Sequence, residues 1–248
     1  MRSRQTNVNL VYPKVTDWRK KYVVAEDILS DHFMPATILP IPDEVQEQVP
    51  RAIVQSKHGH SVLNVALTVS SFTTTYSGDY VSSWKLCEDY LKDRCDSVYQ
   101  LVDKLSGTDY EYVGLISNIE FDDIEQSSLE TLKESIFKEN GKELGDFFDV
   151  SCKFTYVYKE KYYINITLEN TRKLLMEEKK SGIKVKAGDS ENFIAVTIDV
   201  NDRYAANQND GYKSDKSAFD EILNITANII NNKLARMINE GRFDYVGE

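Results

Sequence analysis

The motif that comes nearest to a metal site in this sequence is His58-Gly59-His60. Imidazole nitrogens are common ligands of Zn²⁺, and a catalytic zinc site takes three protein ligands. No third ligand stands at a recognised spacing, and the remaining histidine, His32, lies in an irregular, proline-rich N-terminal region. Two solvated histidines at a hairpin turn are therefore the simpler interpretation, with the glycine supplying the backbone freedom that a tight turn needs.

An acidic segment near the C-terminal end offers a second set of candidate ligands, Asp199, Asp202 and Asp210. Carboxylate and amide oxygens bind Mg²⁺ and Ca²⁺, and such a loop directly after a strand can hold either ion. The spacing does not fit an EF-hand, which needs ligands at alternate positions and a closing Glu. A metal-dependent hydrolase or nuclease would require His58 and His60 to converge with this loop in the fold.

Other catalytic signatures are missing from the sequence. The segment Gly141 to Gly145 lacks the spacing of a phosphate-binding loop, and no G-x-S-x-G motif occurs. Cys87, Cys95 and Cys152 stand at apolar positions of predicted elements, where a thiol usually behaves as a small hydrophobic group. We therefore assign no catalytic residue and no cofactor, and the balance favours a protein that is not an enzyme.

The charge and composition restrict the cellular compartments and the classes of partner that we expect for this protein. Forty acidic and 30 basic residues give a net charge of -10, which argues against general nucleic-acid binding because that binding needs a basic face. The sequence contains no apolar run long enough for a membrane span and no secretory signal. Three widely spaced cysteines fit a reducing compartment, so we expect a cytoplasmic protein with free thiols.

Apolar periodicity predicts the elements of the first half. Residues 1–50 contain all five prolines and predict an extended N-terminal arm. Alternation predicts strands over 51–57 and 61–72, joined at the histidine turn. A 3–4 spacing then predicts a long amphipathic helix over 79–106, followed by a strand over 110–121 and a helix from about 128.

The second half shows a similar order of elements. Two alternating segments around Lys159-Glu160 predict a hairpin, and 193–200 predicts a further strand. The basic stretch Arg172 to Lys186 is interpreted as a solvated helix end and loop. A final helix over 215–240 has an apolar stripe that Ile225 and Ile229 widen beyond one contact face, so these two residues are candidates for partner binding.

The repeated order predicts an α+β protein of two similar halves, each an antiparallel, hairpin-based sheet packed against a long amphipathic helix. The predicted boundaries are an arm over 1–50, a first half over 51–145 and a second half over 146–248, all in one compact unit.

The layout also resembles a sporadically distributed family of prokaryotic conserved hypothetical proteins of about this length. The matching pieces are PRAIVQSKHGHSVLNVALT, Tyr76, YVSSWKLCEDYL and the later hairpin YVYKEKYYINITLEN. The family has no established activity, so the resemblance transfers no site residue. Its sporadic distribution implies mobile genes, such as those of defence or toxin–antitoxin modules.

These observations predict a non-enzymatic protein-binding component whose partner is another protein or a second copy of itself, with nucleic acid and membrane disfavoured. One alternative is the metal-dependent hydrolase or nuclease described above. Another is a holdase chaperone that grips unfolded chains with aromatic residues on a sheet face.

Overall fold

A computed structural model describes residues 1–42, 44–137, 146–179 and 182–243. Its main feature, over these residues, is a single nine-stranded antiparallel sheet with the order β2-β3-β4-β5-β1-β6-β9-β8-β7. The strands are β1 Arg2–Val11, β2 Thr37–Ile38, β3 Ala52–Gln55, β4 Ser61–Val65, β5 Val69–Thr75, β6 Tyr112–Phe121, β7 Ser151–Tyr158, β8 Tyr162–Lys179 and β9 Gly182–Asn201.

Helices are packed on this sheet. They are α1 Trp18–Ala25, α2 Asp79–Ser82, α3 Trp84–Ser106, α4 Ser128–Ile136, α5 Arg203–Gln208, α6 Lys216–Asn228 and α7 Leu234–Glu240. A 3₁₀ turn over Glu26–Leu29 follows α1, and a π turn over Ile229–Lys233 joins α6 to α7. Among the described residues, no helix combines the length and the apolar character needed to cross a bilayer.

The predicted division into two similar sheet–helix halves is wrong, because one continuous sheet contains the described strands of both predicted halves. The strand that joins the two sides is β1, which pairs with β5 on one edge and with β6 on the other. The sequence instead predicts that this segment belongs to an extended N-terminal region over residues 1–50. Its strand character is hidden in the sequence because Ser3 and Thr6 occupy buried positions and an irregularity between Ser3 and Gln5 shifts the alternation.

The sequence predicts correctly those features that depend on a single short segment, such as a helix cap or a hairpin turn. Ser127 caps α4 by accepting a hydrogen bond from the Glu130 backbone N–H, as its capping-box spacing predicts. The β7–β8 hairpin turns at Lys159 and Glu160, which both have positive φ. The long helix begins later than predicted, at Trp84, because Ser83 provides the cap and α2 forms a separate turn.

The two faces of the sheet differ in chemistry. One face carries the apolar core, and the other carries half-buried polar side chains that hydrogen-bond across strands. Examples are Asn7 with Thr73 at 3.0 Å and Asn118 with Thr197 at 3.1 Å. An antiparallel sheet can leave one face to solvent in this way, with polar residues at alternate positions.

Strands β8 and β9 extend well beyond the body of the sheet. Within the sheet they pair up to Asn170 and Ile194, and then they continue together as a two-stranded projection. We call residues 172–179 and 182–190 the arm. This segment was interpreted as a helix end and loop, and the structure instead pairs it strand to strand.

Candidate functional site

One face of the arm is apolar and exposed. Residues paired across an antiparallel ladder point to the same side, and here Leu174 faces Ala187 while Met176 faces Val185. The relative exposure of Leu174, Met176 and Val185 is 68%, 73% and 53%. Ile183 shares this side by alternation with Val185 and is 68% exposed. Large apolar side chains are thus concentrated on one side of a short projection.

The opposite face of the arm is mainly charged. Leu175 pairs with Lys186, and Glu177 pairs with Lys184. A diagonal ion pair joins the Lys186 ammonium to the Glu177 carboxylate at 2.6 Å. Both partners are more than 40% exposed, so the pair contributes little stability by itself. The arm is therefore amphipathic, with alternation that sends charge to one side and apolar groups to the other.

The base of the arm is tied to the body through Arg172. Its guanidinium bonds to the Asp149 carboxylate at 2.9 Å and to the Gly188 carbonyl at 3.1 Å, and it lies 4.0 Å from the centroid of the Phe148 ring. The hydrogen bond from Arg172 holds the pKa of Asp149 below its usual value. Ser190 also hydrogen-bonds to Ser128 at the start of α4, at 2.8 Å. These contacts fix the direction in which the arm leaves the sheet.

The apolar side of the arm continues the helix-covered side of the sheet. On β8, every second residue points to the same side, so Leu174 and Met176 lie on the side of the buried Leu168. The two register shifts do not disturb this alternation on β8, because the extra residues are in β9. Helix α4 contacts the base of the arm through its first residue. Beyond that point, no helix among the described residues packs against the apolar side of the arm.

The structure keeps the two sets of predicted metal ligands apart. His58 and His60 are exposed at the β3–β4 turn, whereas Asp199 lies on β9. Strands β5, β1 and β6 separate β4 from β9, so four strand spacings, roughly 19 Å, lie between them. Within the described ranges, no group of three or more His, Cys, Asp or Glu residues is arranged to hold a metal ion.

The three aspartates of the acidic segment occupy different surroundings. Asp199 accepts hydrogen bonds from Asn165 and Asn201 on the polar face of the sheet. Asp202 is fully buried, and Asp210 is exposed. The carboxylate of Asp202 accepts hydrogen bonds from the Val113 backbone N–H at 2.7 Å, from the Tyr212 hydroxyl at 2.6 Å and from the Ser214 hydroxyl. Asp202 therefore has a structural role, in which it anchors the segment before α6 to β6.

The two isoleucines predicted to bind a partner are in the core. Ile225 is 5% exposed and Ile229 is 0% exposed, and both belong to the main cluster of buried apolar side chains. The wide apolar stripe is explained by intramolecular packing, since α6 contacts α3 as well as strands β6 and β9. Exposed large apolar side chains lie instead on the arm, which the sequence interpretation missed.

His58 and His60 line a cleft of about 640 Å³ with groups that sequence analysis did not single out. They include Tyr80 from α2, together with Tyr90 and Arg94 from α3. Tyr90 and Arg94 stand four residues apart on a predicted helix, so their shared face was visible in the sequence. Their meeting with the histidine turn depends on tertiary structure.

Comparison with protein-family models and with curated proteins finds no match to this chain.

Proposed function

We propose that this protein is a non-enzymatic binding component that associates with protein through the apolar face of its arm. One observation carries the proposal. Leu174, Met176, Ile183 and Val185 are each more than half exposed on one side of a two-stranded projection. Fully burying each side chain is worth about 1.5–3 kcal/mol, which gives association a clear driving force.

The arm's architecture supports this proposal. An isolated two-stranded hairpin is marginally stable in water and gains stability when its apolar face packs against something. A projection that served only as a connection would have no need for four large apolar side chains on the same side. Contiguous exposed apolar patches on soluble proteins commonly mark interaction sites.

A second copy of the chain is the occupant that the charges favour. Residues 172–191 contain six basic and four acidic side chains, so this segment carries +2 while the rest of the chain carries -12. A basic projection on an acidic protein is attracted to the body of another copy. A groove of about 780 Å³ between the segment after β6 and helices α4 and α7 fits this role. Its acidic lining is Asp123, Glu125, Glu134 and Glu240, together with Asp122, which already pairs with the N-terminus and Arg2.

Sedimentation velocity over a range of protein concentrations tests the proposal. We expect a reversible dimer with a dissociation constant of about 1–100 µM, in the range of a small interface. Met176→Gln, which leaves the charge unchanged, should weaken the dimer at least about tenfold, because each of two symmetric arms would bury a polar amide in place of an apolar side chain. Lys184→Arg, which keeps the charge on the opposite face of the same arm, is the matched control and should leave the dimer within about twofold.

A wild-type protein that stays monomeric at about 100 µM would contradict association between copies. Equal loss of dimer in the Met176→Gln and Lys184→Arg proteins would show that the apolar face is not the binding surface.

The alternative functions have less structural support. The hydrolase or nuclease would need ligands that lie on separate elements of the fold. The holdase would need exposed rings on a sheet face, and the solvent face here is occupied mostly by paired amide and hydroxyl side chains.

A further inference from the structure

The cleft beside the histidine turn is built around three tyrosine rings. Tyr76 and Tyr80 stack with ring centroids 6.2 Å apart and an interplanar angle of 12°, and Tyr80 meets Tyr90 edge to face at 5.9 Å. Tyr76 is held by its hydrogen bond to Thr6 at 2.8 Å, and Tyr90 by its bond to Ser61 at 2.8 Å. Two of the rings are thereby fixed in place before any ligand arrives.

The third ring, Tyr80, is the accessible one. It is 39% exposed, and its hydroxyl makes no hydrogen bond to the part of the chain that the structure describes. A ring that is supported by neighbours and open to solvent is a stacking surface for another planar group. The free hydroxyl adds a donor at the edge of the same surface.

Side chains with N–H donors lie beside this aromatic cluster. The Arg94 guanidinium lies 5.0 Å from the Tyr90 ring centroid, and the exposed side chains of His58 and His60 line the same cleft. Two carboxylates are also near: Asp79 lines the cleft, and the exposed Asp93 pairs with Arg94. The Arg94 guanidinium and the imidazole N–H groups of His58 and His60 can donate hydrogen bonds to the oxygens of an anion, and an arginine among the lining groups disfavours a bound metal cation.

We propose that this cleft binds a phosphate ester carried on a planar ring system, the chemistry of a nucleoside monophosphate. Tyr80 stacks on the ring, while Arg94 and the two histidines hold the phosphate. Arginine presents paired donors that match phosphate oxygens, and its hydrogen bonds to phosphate are among the strong ones. The cleft's volume of about 640 Å³ lies within the usual range for small-molecule sites. This proposal is independent of the arm.

Isothermal titration of the protein with AMP and UMP tests the site, with adenosine and inorganic phosphate as the separated halves of the ligand. We expect one site that binds a nucleotide more tightly than either half. Arg94→Gln should weaken binding at least tenfold through the lost charge-assisted bonds. Tyr80→Leu should weaken it about fivefold or more through the lost stacking.

Arg203→Gln is the matched control. Arg203 also lies over a tyrosine ring, 5.4 Å from the centroid of Tyr112, but it stands outside the cleft. Its replacement should leave binding unchanged. If the circular dichroism of Arg94→Gln shows that it does not fold, the double variant His58→Asn, His60→Asn replaces it, since both histidine side chains are exposed. The double variant should weaken nucleotide binding at least about fivefold.

Three results would overturn the proposal. The first is that neither nucleotide binds at about 5 mM, where even a millimolar dissociation constant is measurable. The second is that adenosine binds as tightly as AMP, which would remove the phosphate from the recognition. The third is stoichiometric Zn²⁺ binding that is lost in the histidine variants while no nucleotide binds, which would make the cleft a metal site instead.

Discussion

Met176 and Val185 face each other across the two strands of the arm, and both side chains are more than half exposed. Further down the same two strands, Ile166 and Ile198 form an equivalent pair, and both are 0% exposed. The two pairs differ in what lies above them, since only the second is covered by the core. The arm is thus an apolar ladder without its covering layer, which is the basis for proposing that it associates with protein.

Replacing Asp202 should destabilise the protein. Its buried carboxylate accepts three hydrogen bonds, and Asp202→Asn leaves at least one donor poorly satisfied. We expect the free energy of unfolding to fall by roughly 1–3 kcal/mol in urea denaturation. Asp210→Asn, an exposed neighbour in the same acidic segment, should change it by less than about 0.5 kcal/mol. Equal midpoints for the two variants would refute the structural role of Asp202.

The three thiols should differ in reactivity. All are free, as the sequence predicts. Burial raises the pKa of Cys87 to about 11, and it raises the pKa of Cys95 and Cys152 as well. Since only the thiolate reacts, the raised pKa of Cys87 lowers the fraction of this thiol that is reactive at pH 8.

Native protein treated with a maleimide at pH 8 should therefore be labelled first at Cys152, the partly exposed thiol. Cys87 and Cys95 should be labelled fully only in denaturant. Peptide mapping by mass spectrometry reads out the order. Rapid native labelling of Cys95 would show that the packing around α3 is looser than described.

The ion pair at Glu221 predicts a pH-dependent contribution to stability. Lys159 and the Tyr162 hydroxyl donate to its carboxylate at 2.7 and 2.6 Å, and these hydrogen bonds lower the pKa of Glu221 in the folded state. The stabilisation is therefore present above the unfolded pKa near 4.5 and is lost as the pH falls through the lower, folded value.

Glu221→Gln should lower the free energy of unfolding at pH 7 by up to about 1 kcal/mol, since the pair is partly exposed. The difference from wild type should shrink as the pH is lowered from about 5 to 3. Glu44→Gln, which replaces an exposed carboxylate, serves as the control. A difference that stays constant across this pH range would contradict the assigned direction of the pKa shift.

The sequence predicted elements whose signals are local. The hairpin at Lys159-Glu160 lies between two long alternating segments. The capping-box spacing of Ser127 and Glu130 predicts the start of a helix. The first strand escaped prediction because Ser3 and Thr6 are polar residues at buried positions. Such positions are decided by neighbouring strands, which a single segment does not reveal.

The candidate sites were harder to predict than the elements. Leu174, Leu175 and Met176 followed by Glu and Lys have a composition that favours a helix, and the segment is a strand because it pairs with residues 183–187. The wide apolar stripe of the last helix predicts a partner surface at Ile225 and Ile229. The elements that pack against this helix are distant from it in the sequence. The apolar stripe alone therefore does not reveal that its residues are already buried within the protein.

The most direct test of the central claim is amide hydrogen–deuterium exchange of the arm as a function of protein concentration. At low concentration, peptides covering residues 172–177 and 183–187 should exchange rapidly, because an uncovered two-stranded projection opens easily. As the concentration rises through the dimerisation range, these peptides should become protected, while peptides from core strands such as β6 stay unchanged. Arm exchange that is the same at all concentrations would contradict the account, because the apolar face would then remain uncovered when other copies are available.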